Sequence, residues 1–162
     1  VSGPTNLQPP FKSKLIKVTT AKEMLKAVID NSKVDLAIFA AAVSDASPNK
    51  AFIKKIKKEN LKNITLKKNK DILYKISTLK KNRPKIVIGF AAETNNHIMN
   101  ARKKLLEKKC DAIIVNKIDK KNQVFNSEMN KVSFISKKLT LHFQKTSKII
   151  VAKKMIELIN KL

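Results

Sequence analysis

The stretch KIVIGFAAETNNHIMNARKKLLEKKCDAIIVNK, residues 85–117, carries the pattern that decides the fold. Its two ends, KIVIGFAAE (85–93) and DAIIVNK (111–117), are continuous apolar runs of the length expected for strands that are covered on both faces. The residues between them, 94–109, predict a helix that begins at Thr94. A strand, a helix and a second strand in this order predict two parallel strands joined by a helical crossover.

The same alternation of strands and helices continues on the N-terminal side. Short apolar runs predict strands at KLIKV (14–18), VDLAIFAAAV (34–43) and NITLKK (63–68). Thr20 and Glu23 have the spacing of a capping box, which predicts a helix that starts there. NKDILYKISTL (69–79) predicts another helix, with Asn69 as its N-cap.

On the C-terminal side, KVSFIS and LTLHF predict a hairpin, and the last residues predict a helix capped near Thr146 or Ser147. The pattern as a whole predicts a single α/β domain over residues 1–162, with no internal repeat or linker. We expect a Rossmann-like three-layer sandwich, in which a mostly parallel sheet ends in a C-terminal β-hairpin edge.

The net charge of +24 leaves two interpretations open. Lysines could neutralise the phosphates of a nucleic acid. However, lysine, asparagine and isoleucine are all abundant and Arg83 and Arg102 are the only arginines, which favours a compositional bias of the genome. One cysteine, Cys110, is typical of a reducing cytoplasm, and no apolar run has the length of a membrane helix.

Polar residues lie at the ends of three of the predicted strands: Asp45 in AAAVSD, Glu93 in GFAAET and Asn116 in IIVNK. In open α/β sheets, ligands bind beyond the carboxyl ends of the strands, so these residues are site candidates. Neither a dinucleotide fingerprint nor a P-loop is present. Phosphate charge would have to be met by helix N-termini and by lysines such as those in 54–58, although composition alone favours a solvated loop for that run.

Seven motifs in order resemble the phosphopantothenate–cysteine ligase family (phosphopantothenoylcysteine synthetase): VSGPTNLQPP, VTTAKEMLKAV, AAAVSD, KIKK, NKDIL, GFAAET and IIVNK. The resemblance implies an enzyme that uses CTP and Mg²⁺ to convert 4'-phosphopantothenate to an acyl-cytidylate. L-cysteine then attacks, which gives 4'-phosphopantothenoylcysteine and CMP. It also implies a Rossmann-like fold, a homodimer or higher oligomer, and a flavin-dependent decarboxylase domain upstream in the full-length bacterial protein.

The resemblance also implies roles for individual residues. Lys55 would be the catalytic lysine that stabilises charge on the phosphates. Asp45 would contact the nucleotide or Mg²⁺, and Ala42 and Asn116 would contact the acyl substrate. The remaining nucleotide contacts would be Phe39, Ala40, Ala41, Lys70, Asp71, Ile72, Leu73, Phe90, Lys104 and Lys108.

The family has a glycine-rich first βα unit and a catalytic asparagine that would precede Val1. The resemblance therefore implies most of a ligase domain without its N-terminal βα unit, and we expect this segment alone to be impaired. A lysine-rich nucleic-acid-binding module and an inactive remnant of the ligase are the alternatives.

Overall fold

The computed structural model describes residues 1–50, 57, 63–118 and 127–162. Within it the chain divides into two compact units. The first unit combines Val1–Asp30 with Ala41–Ile72, and the second combines Asn31–Ala40 with Leu73–Leu162. The single domain predicted for residues 1–162 stays a prediction.

The described helices and strands alternate strictly over residues 66–117, whereas strands follow one another before and after that stretch. The helices are α1 (Ala21–Asp30), α2 (Ile72–Ser77), α3 (His97–Lys108) and α4 (Lys148–Ile159). The strands are β1 (Leu36–Phe39), β2 (Ala46–Pro48), β3 (Leu66–Lys68), β4 (Ile86–Glu93), β5 (Ala112–Lys117), β6 (Met129–Asn130), β7 (Val132–Ser136), β8 (Thr140–His142) and β9 (Thr146–Ser147).

The second unit is built on a five-stranded sheet in the order β1-β4-β5-β7-β8. The pairs β1/β4 and β4/β5 are parallel, whereas β5/β7 and β7/β8 are antiparallel. A parallel core that ends in an antiparallel hairpin confirms the predicted Rossmann-like α/β fold. The remaining pair of strands in this unit, β6 and β9, is antiparallel and precedes α4.

Helices cover both faces of this sheet. On one face, Val151, Met155 and Ile159 of α4 pack into a cluster with alternate residues of β4, β5 and β7, which include Ile88 and Phe134. On the other face α3 packs over β4, β5 and β7, and it buries Ala101 and Leu105. This arrangement explains why β5 is a continuous apolar run: five of its six residues are buried.

The predicted caps are confirmed at two helices. At the start of α1, Glu23 Oε2 accepts from the backbone N–H groups of Thr19 and Thr20 at 2.8 and 3.3 Å, and Thr20 Oγ1 accepts from Glu23 N at 3.1 Å. These bonds lower the pKa of Glu23, the bond from Thr19 N most of all. At the start of α4, Ser147 Oγ accepts from Ile150 N at 3.4 Å.

In the first unit, the strand predicted at 14–18 is wrong. Among the described residues, an isolated parallel bridge between Ser2 and Lys17 is the sole strand pairing of this segment, which stays largely exposed. The strand predicted at 63–68 narrows to β3, which pairs with β2, a strand that the sequence did not predict.

The bounds of three other elements also differ from prediction. The run 34–43 leaves the sheet after Phe39, and a bond from Val43 N to Ala41 O at 3.1 Å turns the chain. The helix predicted to begin at Thr94 begins at His97, because Asn96 adopts a left-handed conformation with φ 46°. The helix predicted over 69–79 is limited to α2. No described helix combines the length and apolar character needed to cross a membrane.

Candidate functional site

The carboxyl ends of β1, β4 and β5 lie at one edge of the second unit's sheet, where the sequence predicts a site. Phe39, the last residue of β1, pairs with Gly89, so β4 continues to Glu93 beyond the end of β1. At the other side of β4, Ala92 pairs with Asn116 and Glu93 pairs with Lys117. The structure therefore places Glu93 and Asn116, two of the predicted strand-end residues, on neighbouring strands, but their side chains lie on opposite faces of the sheet.

Glu93 is bound by two side chains of α3. Its Oε1 lies 2.6 Å from Lys104 Nζ, and its Oε2 accepts from Asn100 Nδ2 at 3.0 Å. The hydrogen bond from Lys104 is the main cause that lowers the pKa of Glu93. Because the Glu93 side chain is only 15% exposed, this ion pair is partly shielded from water. Lys104, predicted to bind nucleotide, is thus held by a carboxylate, and Lys108 lies one turn further along α3.

Asn116 is 8% exposed, and within the described residues its side-chain oxygen has no hydrogen-bond partner. Ala92, which pairs with Asn116 on the neighbouring strand, is exposed. Phe90 lies on the same face of the sheet, where it packs against the α4 cluster. Buried amide oxygens normally have a partner, so a donor from water or a ligand is expected here.

Three other predicted nucleotide contacts, Leu73, Phe39 and Ala40, also lie in the second unit. The side chain of Leu73 lies over Gly89: a Cβ at that glycine would be 2.5 Å from Leu73 Cδ2. Phe39 is partly exposed at the end of β1, and Ala40 follows it.

In the first unit, Asp45 lies in a turn that Asn69 holds in place. Asn69 N donates to Asp45 O at 2.8 Å, and Asn69 Nδ2 donates to Ser44 O at 2.9 Å. Asn69 Oδ1 accepts from Ser47 Oγ at 2.9 Å. Asn69 was predicted to be a helix cap, and this prediction is wrong, because its side chain is committed to the turn.

These bonds bring the predicted residues of the first unit into one neighbourhood. Asp45 is exposed, and Lys70 and Asp71 directly follow Asn69 in the chain. Ile72, in contrast, is buried at 6% exposure. Ala41 and Ala42 lie in the turn that precedes Asp45 and are exposed. The sequence missed Asn69 as a site-organising residue, and its only signal was its position beside Lys70 and Asp71.

Lys55, the predicted catalytic lysine, lies outside the described residues, as does most of the basic run 50–58. Lys57 is described and is exposed. The role of Lys55 stays a prediction.

An open surface cavity of about 480 Å³ lies at the start of α3. Residues 94–99 and Lys117 line it. The pKa of the His97 imidazole is lowered, chiefly because burial disfavours its charged form. The nearby charges of Lys117, His142 and Lys131 lower it further. The sequence did not predict this convergence of cationic groups.

In the part of the chain that the structure describes, no three His, Cys, Asp or Glu side chains come together as a metal site. Asp45 as a single carboxylate still suits Mg²⁺, which commonly binds one or two carboxylates together with substrate phosphates. Burial raises the pKa of the Cys110 thiol to about 11, which leaves it protonated near neutral pH.

Comparison with known proteins supplies the family. The chain matches the DNA/pantothenate metabolism flavoprotein C-terminal domain over residues 1–162. The chain belongs to this family. It is 37% identical over 163 residues to the coenzyme A biosynthesis bifunctional protein CoaBC of Borreliella burgdorferi, with 98% of this chain and 40% of that protein covered.

A second relative, the CoaBC protein of Escherichia coli K12, is 41% identical over 137 residues, which cover 80% of this chain and 33% of that protein. The chain therefore spans well under half the length of these relatives. Among solved structures, the C-terminal domain of a coenzyme A biosynthesis bifunctional protein CoaBC has a TM-score of 0.77 and 31% identity, with 97% of this chain and 69% of that chain covered.

Proposed function

We propose that this chain is part of a CTP-dependent phosphopantothenate–cysteine ligase. The observation that carries the proposal is the family match over residues 1–162, with relatives whose names place them in coenzyme A biosynthesis. The position of Glu93 and Asn116 at the carboxyl edge of the sheet supports a ligand site there.

In the proposed reaction, a carboxylate oxygen of 4'-phosphopantothenate attacks the α-phosphorus of CTP and pyrophosphate leaves. The amine of L-cysteine then attacks the acyl carbon, so that an amide forms while CMP and a proton are released. Lys55 would stabilise the negative charge that develops on the phosphates. Asp71 would accept a hydrogen bond from the exocyclic amine of cytosine, with Lys70, Ile72 and Leu73 beside it.

Three further roles belong to the proposal. The buried oxygen of Asn116 would accept a hydrogen bond from the bound substrate, because a donor there removes the cost of an unpaired amide. Phe90, on the same face of the sheet, would contact the nucleotide. Phe39, Ala40, Ala41 and Ala42 would let the nucleotide and the acyl group approach the backbone closely.

Lys104 and Lys108 would bind phosphate oxygens, and the Glu93 contact adds a condition to that role. In the described structure the charge of Lys104 is neutralised by Glu93 at 2.6 Å. A phosphate would have to compete with this carboxylate or bind to the pair through Lys108.

Mg²⁺ would accompany CTP, with Asp45 as its protein carboxylate, and would reduce the charge repulsion between the phosphates and the attacking carboxylate. We also infer a cytoplasmic homodimer, which in a longer protein follows a flavin-dependent decarboxylase domain. The relatives are named as bifunctional proteins, which supports the last of these points.

The proposal is tested by thermal unfolding of the chain with CTP, ATP or GTP, each with and without Mg²⁺. Ligand at about 100 times its Kd adds roughly 2.7 kcal/mol of stability. For a chain of this size, that raises Tm by about 5–10 °C. We expect this shift with CTP and Mg²⁺ and a smaller one with ATP or GTP.

Lys55→Ala is expected to abolish acyl-cytidylate formation, assayed with labelled CTP in a version of the protein that is extended upstream. Lys57→Ala, an exposed lysine of the same run, is the matched control and should retain the activity. Equal loss in both variants, or full activity of Lys55→Ala, would contradict the assigned role. Strong salt-dependent binding of RNA, without any response to nucleotides, would favour the nucleic-acid alternative instead.

A further inference from the structure

Two buried asparagines lie at the carboxyl edge of the second unit's sheet, on the face that α4 covers. Asn116 is 8% exposed and Asn130 is 7% exposed. Among the residues that the structure describes, neither side-chain oxygen has a hydrogen-bond partner. A buried amide oxygen without a donor destabilises a fold, and most such oxygens in proteins are paired. Two of them at one edge therefore indicate a ligand that supplies donors.

The strand registers place the two asparagines side by side. Asn116 pairs with Val132, and Asn130 lies two residues before Val132 in the chain. Side chains two residues apart on a strand share a face, and Val132 packs in the α4 cluster. Lys131 between them is exposed and α4 packs against β6, which agrees with this alternation. Diagonal neighbours on one face lie about 7–8 Å apart, so both amide oxygens can reach one small group.

The N-terminus of α4 lies beside the same pair. Asn130 pairs with Thr146, and Ser147 is the N-cap of this 12-residue helix. The start of a helix carries a partial positive charge and attracts carboxylates. The edge thus combines two hydrogen-bond acceptors with a position that favours an anion. An α-amino acid has the matching groups, an amine that donates and a carboxylate.

We propose that Asn116 and Asn130 bind the amine of L-cysteine, with its carboxylate at the N-terminus of α4. This inference rests on the proposed ligase function and names the substrate that is bound at this edge. A neutral amine has two N–H bonds and one lone pair. When each amide oxygen accepts one N–H, the lone pair remains free to point at the acyl carbon. Phe90, the proposed nucleotide contact, lies on the same face of the sheet.

The step that uses this site is the attack of cysteine nitrogen on the acyl carbon of the acyl-cytidylate. A C–N bond forms, and the bond between the acyl carbon and the phosphate oxygen breaks. CMP leaves with that oxygen and its electron pair, and the amine loses one proton to water. Asn116 and Asn130 accept hydrogen bonds from the amine and take no proton, so their role is to bind and orient it.

The test separates the two half-reactions in a version of the protein that is extended upstream. Acyl-cytidylate formation is followed as pyrophosphate release without cysteine, and amide formation is followed at increasing cysteine concentrations. Asn130→Leu keeps the approximate size of the side chain and removes its polar atoms. We expect kcat/KM for cysteine to fall at least about tenfold, far more than the rate of pyrophosphate release falls.

Two further variants complete this experiment. Asn116→Leu should have the same selective effect on the cysteine step. Asn160, an exposed asparagine at the other end of α4, supplies the matched control, and Asn160→Leu should retain the parent's rates in both steps. Because Asn130→Leu removes a buried oxygen without a described partner, its Tm should equal or exceed that of the parent.

A binding measurement keeps the proposal testable even when a variant fails to fold. The side-chain amide resonance of Asn130 is followed by NMR in the unsubstituted 162-residue chain during addition of L-cysteine. 3-Mercaptopropionate is the control ligand, because it has the thiol and the carboxylate but no amine. We expect the resonance to shift with L-cysteine and to stay in place with 3-mercaptopropionate.

Several results would overturn the proposal. An unchanged kcat/KM for cysteine in Asn130→Leu would mean that water alone pairs with the buried oxygens. An equal loss in Asn160→Leu, or an equal response of the Asn130 amide to 3-mercaptopropionate, would show that the effect is not specific to the amine. When the parent protein releases no pyrophosphate, the ligase function itself fails. The NMR measurement then decides the cysteine site, and an unchanged Asn130 resonance overturns it.

Discussion

Glu93 allows a quantitative test of the ion pair that joins β4 to α3. Glu93→Gln keeps the size of the side chain and an oxygen that can accept from Asn100, but it removes the charge that binds Lys104 at 2.6 Å. A hydrogen bond between charged groups contributes about 1.5–3 kcal/mol. Because the Lys104 side chain is 41% exposed, solvent screens part of this interaction. We therefore expect Glu93→Gln to lower the free energy of unfolding by about 1–2 kcal/mol at pH 7.

Glu107→Gln in the same helix is the matched control. Glu107 Oε1 lies 3.8 Å from Lys103 Nζ, and both side chains are more than half exposed. Such an i,i+4 pair contributes about 0.3–0.5 kcal/mol. Urea unfolding of the two variants, followed by circular dichroism, should therefore separate them clearly.

The pH dependence gives this prediction its sign. The pKa of Glu93 is lowered in the folded state, chiefly by Lys104. The stability that the Glu93 carboxylate contributes is therefore fully present above its pKa in the unfolded chain, near 4.3. This stability is lost as the pH falls through the lower pKa of Glu93 in the folded protein. The difference between the parent chain and Glu93→Gln should shrink below about pH 4. A difference that stays constant from pH 7 to pH 3, or a Glu107→Gln variant that loses as much, would refute the reasoning.

Three further substitutions test the packing and capping. Gly89→Ala is expected to lower the free energy of unfolding by about 1–3 kcal/mol, because the new methyl group would lie 2.5 Å from Leu73 Cδ2 and 2.8 Å from Ile113 Cδ1. Addition of Leu73→Ala should recover part of this loss. No recovery in thermal unfolding would contradict the clash. Arg83→Lys should lower the free energy of unfolding in urea by about 2 kcal/mol, since the guanidinium bonds three backbone carbonyls and Asp111. Arg102→Lys, which alters the bond from Arg102 to Thr140 Oγ1, should lower it much less, and equal losses would argue against this account. Ser147→Ala should reduce stability by about 0.5–1 kcal/mol through loss of the cap of α4, and unchanged helix protection in hydrogen exchange would count against it.

Local sequence patterns predicted the central elements because each of these signals depends on residues that are close together in the chain. The apolar runs at β4 and β5, the capping box of Thr20 and Glu23, and the Ser147 cap each depend on residues within a few positions of one another. The hairpin of β7 and β8 was readable for the same reason. The candidate edge of the sheet followed, since the alternation of strands and helices determines where parallel strands end.

The parts that the sequence could not predict depend on contacts between distant residues. β2 is a three-residue strand that contains Pro48, and it exists because β3 pairs with it. Asparagine is a common helix N-cap, but the side chain of Asn69 hydrogen-bonds Ser44 O and Ser47 Oγ instead. The pairing of Lys104 with Glu93 joins a helix to a strand, so the resemblance that implied a nucleotide contact for Lys104 could not reveal that the chain supplies a carboxylate to this lysine.

The strand registers also imply an order in which the sheet assembles. Ile135 pairs with Thr140 and Ile113 pairs with Ile135, so β5, β7 and β8 can associate through short loops. Leu36 pairs with Ile86, which closes a far longer loop at a larger entropic cost. We expect β1 to join last, on a hairpin and crossover that have already formed, and to be the first strand to detach when the sheet opens. The carboxyl edge would then acquire Phe39 only in the final step of folding, after Glu93 and Asn116 are already in place.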